Sequence, residues 1–389
     1  MEVDGGGGGG GGWDFLDWVG PDSSACILGR LDDPADLARA AAVSRSWRRF
    51  VVDNEFCKSL CLRICPEVAH FTRAAEVSRP PPPASAAAAH ASESSDDAEL
   101  RSRDKDHRIY SCLAGSLVSR KPSADCILHC IGASSTDNFP DESMENTLEP
   151  QDRVNHRSSY WSSGGQDDPD VPESLTYRLN SDLCLIYEFR VHPFKAYFQP
   201  GHPIYSCKTV RIRMGHSKLP PGSESFVTDE DENKRVIANE NYVWTYTSPE
   251  FPMRQENVLQ TFKLPRPVLC IGGVVKIELL GRKQKQATDD RYYICVCHVQ
   301  VIGRSLSPEF MVEISDPVGY SILKYLPGTS NLSAEDIITD DSRDSSEWHS
   351  LVARYRQMRH LAMMNMLLGP VQFIDEDDGG GVSDDDPFV

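Results

Sequence analysis

The sequence predicts a multidomain protein of mixed α and β structure, with N-terminal helices followed by an antiparallel β-sandwich. Apolar residues recur at helical spacing between about Trp13 and Ala75. From Leu175 to Ile302 the apolar period becomes two, which is typical of half-buried strands. A stretch rich in proline, alanine and serine separates the two patterns. The chain has 389 residues, enough for two modest domains and their linkers.

The composition shifts divide the chain into six segments. We expect a disordered glycine-rich start (1–12), a helical domain (13–76), a mostly disordered linker (77–144), the β-sandwich (145–306), a C-terminal extension with an amphipathic helix (307–370) and a disordered acidic tail (371–389). One apolar island interrupts the linker, Ile109–Val118 with Cys126–Ile131, and we expect it to dock elsewhere as a short helix or a strand pair. The tail helix carries Trp348, Leu351, Val352 and Tyr355 at helical spacing.

Charge and hydropathy exclude some classes of function. Lys and Arg number 40 against 58 Asp and Glu, a net charge of -18, so we expect no DNA partner. The sequence contains no apolar run of the ~20 residues that a membrane-spanning helix needs, and we expect no membrane association. The glycine-rich start has neither a basic nor an apolar region, so we expect no secretory signal there. We therefore expect a cytoplasmic or nuclear protein whose 12 cysteines are thiols.

Helix start signals recur in the N-terminal block. Pro34 suits the first turn of one helix, and Ser44 can cap the next, whose inner face carries Trp47, Phe50 and Val51. Helices this short form a unit that needs a partner to complete its core.

The block resembles the F-box family. The matching residues are Pro21, Ile27-Leu28, Leu31, Asp36-Leu37 and the run Val43-Ser44-Arg45-Ser46-Trp47-Arg48-Arg49. Two departures are Gly20, where the family has leucine, and a one-residue shift between Leu31 and Leu37. The resemblance implies a non-catalytic substrate receptor of an SCF-type ubiquitin ligase, whose F-box binds a Skp-type adaptor and, through it, a cullin. The implied adaptor-binding residues are Pro21, Ile27, Leu28, Leu31, Leu37, Val43 and Trp47.

The central region predicts an antiparallel sandwich and resembles the galactose-binding-like, or discoidin-like, jelly roll. The similar segments are Tyr160–Ser163, Glu173–Leu179, Val275–Gly281 and His298–Gly303. In that family, rim loops bind sugars, lipids or protein, so the resemblance implies an unknown target protein or a glycan as ligand. The aromatic candidates for target binding are Trp161, Phe194, Tyr197, Phe198 and Trp244; packing in the core is the alternative for each.

Other clusters favour structure over chemistry. Lys208, Arg211, Arg213, His216 and Lys218 form a basic stretch that suits either an acidic degron or a solvated sheet face. Cys57, Cys61 and Cys65 lie four residues apart, which spreads their sulfurs over roughly 12 Å of helix, too far for one ion. The sequence has no Gly-x-x-x-x-Gly-Lys-Ser/Thr loop, no Gly-x-Ser-x-Gly elbow and no His-Glu-x-x-His, and we expect no cofactor, no metal and no enzyme activity.

Three functions remain open at this stage. The first is the ubiquitin-ligase receptor. The main alternative is a carbohydrate- or lipid-binding interaction module without a ligase role. The third is a nuclear scaffold or regulator that binds through the basic stretch or the tail helix.

Overall fold

The computed structural model describes residues 14–77, 95–154, 157–218, 241–315 and 320–328. These residues fall within the first of two compact units, Met1–Asn331. The predicted tail helix and the glycine-rich start lie outside the described residues. The helices are α1 Phe15–Val19, α2 Pro21–Leu28, α3 Pro34–Val43, α4 Arg45–Asp53, α5 Phe56–Ile64 and α6 Ser95–Val118, with 3₁₀ turns at Pro66–His70 and Met144–Leu148.

The start signals of α3 and α4 are confirmed. Pro34 is the first residue of α3, and the Asp33 carboxylate accepts a hydrogen bond from the Ala35 N–H at 2.8 Å. The Ser44 hydroxyl accepts one from the Trp47 N–H at 3.2 Å at the start of α4. Each side chain satisfies an N–H group that has no partner inside the helix.

Two six-stranded antiparallel sheets form the sandwich in the described part of the chain, which confirms the predicted fold class. The strands are β1 Phe71–Glu76, β2 Ala124–Asp125, β3 Ile127–Ala133, β4 Arg153–Val154, β5 Arg157–Ser158, β6 Trp161–Ser162, β7 Glu173–Leu179, β8 Leu183–Lys195, β9 Ile204–Tyr205, β10 Cys207–Ser217, β11 Tyr242–Thr247, β12 Phe251–Pro252, β13 Gln260–Ile271, β14 Val274–Arg282, β15 Gln284–Lys285, β16 Tyr292–Tyr293, β17 Cys295–Ser305, β18 Phe310–Ser315 and β19 Tyr320–Tyr325. One sheet has the order β11-β10-β14-β7-β3, with β12 also paired to β10. The other has the order β13-β8-β17-β2, with β6 paired to β17 and β9 to β8.

Strand β8 contributes to two separate cores. Phe189 and Val191 point into the sandwich, whereas Leu183 and Leu185 pack on the opposite side of the sheet against the helices. A register irregularity in the pairing with β17, beside Tyr187, reverses the alternation between these two halves. The single apolar alternation in the sequence therefore serves two faces of the sheet.

A three-stranded sheet joins the two ends of the described chain. Its order is β1-β19-β18, so a strand directly after the N-terminal helices pairs in parallel with a strand from the C-terminal extension. Phe310 and Leu323 of this sheet are fully buried in the same core as α5 and α6. The C-terminal extension, expected to begin a separate segment at 307, therefore completes the core of the helical domain.

Residues 95–144 correct the expectation of a mostly disordered linker. They hold α6 and β3, and β3 pairs with β7, so the sandwich begins before residue 145. The predicted apolar island contributes to both elements. In α6, Ile109, Leu113 and Leu117 form the buried face. Among the described helices, none is long and apolar enough to span a membrane.

Candidate functional site

An exposed apolar surface lies on the first three helices. Trp18 of α1 is 73% exposed, Ile27 of α2 is 48% exposed, and Val43 at the end of α3 is 62% exposed. Pro21 is also exposed. Large apolar side chains usually avoid water, so their exposure on three consecutive short helices suits an interface with another protein. We call Trp18, Pro21, Ile27 and Val43 the helical apolar surface.

The remaining predicted adaptor-binding residues support the helices from inside. Leu28 and Leu37 are buried, and Leu31 is half-buried beside the same core. The half-buried Trp47 donates its indole N–H to the Asp14 carboxylate at 2.8 Å and thereby ties α4 to the start of α1. Sequence reasoning missed Trp18, although this tryptophan lies three residues before Pro21.

Cys57, Cys61 and Cys65 form part of the buried core, as predicted. Burial raises the pKa of the Cys57 thiol to about 11 and that of Cys65 to about 12, and it raises the pKa of Cys61 still further. Within the described ranges, no group of histidine, cysteine and carboxylate side chains has the arrangement needed to hold a metal ion.

A buried ion pair joins the helical domain to the sandwich. The Glu67 carboxylate is almost fully buried in the 3₁₀ turn and accepts hydrogen bonds from Arg266 of β13, at 2.5 Å from Nη2 and 2.9 Å from Nη1. These bonds to the carboxylate are the main reason that the pKa of Arg266 is raised. Leu269 and Ile271 of the same strand belong to one core with α5. The helical domain and the sandwich are thus not separated by a flexible linker.

The structure removes two aromatic candidates from the rim of the sandwich. Trp161 is fully buried between the sheets, and its indole N–H donates to the Ser135 carbonyl at 3.0 Å. Phe194 is buried in a smaller cluster and stacks on Tyr160 with ring centroids 3.8 Å apart. The alternative of core packing is correct for both, because each has neighbours on every side.

Tyr197 and Phe198 do lie together at the end of β8. The Tyr197 hydroxyl donates to the Asp152 carboxylate at 2.9 Å and accepts from the Asn257 amide at 2.6 Å. Phe198 is 61% exposed, and Val258 and Leu259 beside Asn257 are exposed as well. We call Arg153, Lys195, Tyr197, Phe198, Val258 and Leu259 the Tyr197 surface.

Trp244 lies elsewhere, on β11 at the edge of the other sheet. It is half-buried and stacks on Tyr242, with ring centroids 5.4 Å apart. The structure therefore brings together three of the five predicted aromatic candidates, Phe194, Tyr197 and Phe198, of which Phe194 is buried. It also shows a neighbour that sequence reasoning missed: Asn257, which directly precedes the exposed Val258 and Leu259, bonds the Tyr197 hydroxyl because β13 pairs with β8.

The basic stretch is largely neutralised by carboxylates. Arg213 lies 3.0 Å from the Glu278 carboxylate, to which Arg211 is also bonded. Lys208 pairs with Asp170 at 3.2 Å, and His216 is buried. These contacts favour the solvated sheet face over an open anion site.

Comparison with known proteins identifies a family match within the helical domain. An F-box-like family model matches residues 22–63, which span α2 to α5. An F-box protein of Arabidopsis thaliana is 48% identical over 314 residues, 80% of this chain and 82% of the relative. The chain belongs to the F-box protein family. The alignment with the Arabidopsis relative extends well beyond the F-box, so it also includes most of the sequence that forms the sandwich.

Solved structures similar to this F-box protein include carbohydrate-binding modules. A family 32 module of C. perfringens NanJ, solved with galactose, is 10% identical and covers 46% of this chain and 99% of its own, with a TM-score of 0.28. A family 32 module of Streptococcus pneumoniae EndoD is 11% identical, covers 46% and 98%, and has a TM-score of 0.30. At these TM-scores the likeness adds nothing to the sandwich architecture that the sheets already show.

Proposed function

We propose that this F-box protein is the substrate-recognition subunit of an SCF-type ubiquitin ligase. Its helical domain binds a Skp-type adaptor, which connects it to a cullin, and its sandwich recruits the protein to be ubiquitinated. The chain itself performs no chemistry; it accelerates transfer by holding the target near the ubiquitin-loaded enzyme. The observation that carries the proposal is the helical apolar surface, within a domain whose family match covers α2 to α5.

The positions of the two ends of β8 support separate binding sites for the adaptor and the target. Leu183 and Leu185 at the start of β8 pack against the helical domain, and the Tyr197 surface follows the end of the same strand. A strand rises about 3.3 Å per residue, so the ten residues from Leu185 to Lys195 separate the two regions by roughly 33 Å. A target on the Tyr197 surface would not compete with an adaptor on α1 to α3.

Co-purification of the full chain with a Skp-type adaptor tests the proposal. Val43→Asp and Ile27→Asp should each weaken adaptor binding, by roughly 30-fold if the residue is a well-buried anchor worth about 2 kcal/mol. The control is Val118→Asp, the same change at an exposed apolar position near the end of α6. Because all three positions are exposed, the variants should fold normally.

Two results would contradict the proposal. One is a folded wild-type chain that does not co-purify with the adaptor. The other is equal adaptor binding by Val43→Asp, Ile27→Asp and Val118→Asp. The proposal also locates the protein in the cytosol, the nucleus or both, which imaging of a fluorescent fusion would test.

A further inference from the structure

We propose that the Tyr197 surface docks an extended segment of the target protein in which acidic residues neighbour bulky apolar ones. This inference rests on the proposed function, since it names the class of target that the receptor recruits. It depends on three properties of the surface: its charge, its apolar area and its rigidity.

The charge of the surface is opposite to that of the protein. The Arg153 guanidinium lies 4.6 Å from the centroid of the Tyr197 ring, and the Lys195 ammonium lies 5.6 Å from it. Among the described residues, neither cation has a carboxylate within ion-pairing distance. The nearby Asp152 carboxylate accepts the Tyr197 hydroxyl instead. On a chain of net charge -18, two cations over one ring outnumber the neighbouring Asp152 carboxylate and favour an incoming carboxylate or phosphoryl group.

The apolar part of the surface suits side chains of a peptide. Phe198, Val258 and Leu259 are exposed large apolar residues on the two segments that meet at Tyr197. Their contact with water is unfavourable, and a partner's apolar side chains would relieve it. A surface that offers both cations and exposed apolar side chains therefore favours a segment that carries acidic and apolar residues.

The polar groups beneath the surface are already fixed. Asn257 donates to the Tyr197 hydroxyl at 2.6 Å, and its carbonyl oxygen lies 3.1 Å from His192 Nε2. Phe198 rests beside the buried Phe194, with ring centroids 6.2 Å apart. A partner would thus find Tyr197 and Phe198 in place, and little ordering entropy would be lost on binding.

Other ligands fit the same groups less well. A nucleic acid needs many cations along its backbone, and this surface has two. A sugar would have to stack on Phe198 alone, because the Arg153 guanidinium lies over the Tyr197 ring. The aliphatic Val258 and Leu259 give no hydrogen bonds to sugar hydroxyls.

Selection from a phage library of random peptides, using the full chain as bait, tests the inference. We expect enriched peptides to carry an acidic residue next to a bulky apolar one. A labelled peptide from this pool should bind about tenfold more weakly to the double variant Arg153→Glu/Lys195→Glu and to Phe198→Ser. The matched control is Lys285→Glu/Arg291→Glu, which changes the net charge equally; Lys285 also lies over a tyrosine ring, at 5.0 Å.

The outcomes separate this inference from the proposed function. Selected peptides without acidic residues, equal weakening by the control, or binding of a neutral oligosaccharide that the Phe198→Ser change abolishes would each overturn it. Adaptor co-purification is measured on the same preparations. If the adaptor binds while the peptide preference is missing, the receptor role stands and this surface is not its target site. If the adaptor does not bind, the receptor role itself fails.

Discussion

Replacing Arg266 by methionine should destabilise the whole described unit, because it leaves a buried carboxylate without its cation. The Glu67 side chain is 3% exposed and that of Arg266 is 33% exposed. Methionine retains most of the aliphatic stem of arginine, so the change removes mainly the charge and the two hydrogen bonds. After the change, the carboxylate keeps a hydrogen bond from the Leu269 N–H at 3.4 Å.

The expected loss follows from the burial of the two groups. Removing one partner of a fully buried ion pair costs about 3–5 kcal/mol. Solvent reaches part of the Arg266 guanidinium, so we expect the lower end, about 3 kcal/mol. Glu67→Gln keeps the shape and one hydrogen bond and should cost about 1–2 kcal/mol. Adding Arg266→Met to Glu67→Gln should then cost only about 1 kcal/mol more, a coupling of about 2 kcal/mol.

Denaturant unfolding of the four proteins measures this cycle. The control is Arg254→Met, which breaks an exposed pair with Glu256 and should cost under about 0.5 kcal/mol. The reasoning is refuted if Arg266→Met costs no more than Arg254→Met, or if the two changes in the cycle are additive. A single unfolding transition is also expected, since the helical domain and the sandwich share one core.

Four other expectations follow from the same contacts. Arg282→Met should cost about 3–5 kcal/mol in denaturant unfolding, because Arg282 and its partner Glu173 are both almost fully buried. A chain ending at residue 306 should melt at a lower temperature than one ending at 331, because it lacks β18 and β19, whose side chains fill the helical core. Burial, with His70 and Lys218 nearby, lowers the pKa of His216, so the free energy of unfolding should be highest above pH 6.5 and fall as the pH drops below it. In His216→Gln, the denaturant midpoint should depend less on pH. Iodoacetamide should modify the exposed Cys26 of the native chain long before the buried thiols, as judged by mass spectrometry.

The N-terminal helices could be predicted from the sequence because their signals are local. Pro34 and Ser44 act within one turn of their own helix, and the apolar residues recur at the helical period. The same is true of the strands, whose alternation is visible without knowledge of their partners. The solvent exposure of a side chain depends on more than its sequence neighbours: the motif does not indicate that Val43 faces solvent while Leu37 is buried.

The features that sequence reasoning missed depend on contacts distant in sequence. The pairing of β1 with β19 joins residues about 250 positions apart, as the hydrogen bond from Thr72 to the Ser321 carbonyl illustrates. The aromatic candidates failed for a related reason. Trp161 and Phe198 are both large aromatic residues in the sequence, and only the pairing of β6 with β17 places Trp161 in the sandwich core while Phe198 is exposed.

The shared core has a consequence for how such a receptor would work. A receptor with a flexible linker offers its target a broad range of positions, whereas here β8 runs from the helical domain to the Tyr197 surface without interruption. The junction is held by Glu67 and Arg266 and by leucines of β8 and β13. The distance from a bound adaptor to a bound target would therefore be set by the length of a strand. Target lysines at one fixed distance from the adaptor would then be ubiquitinated in preference to others. Loosening the junction with Arg266→Met should broaden the set of lysines that are modified.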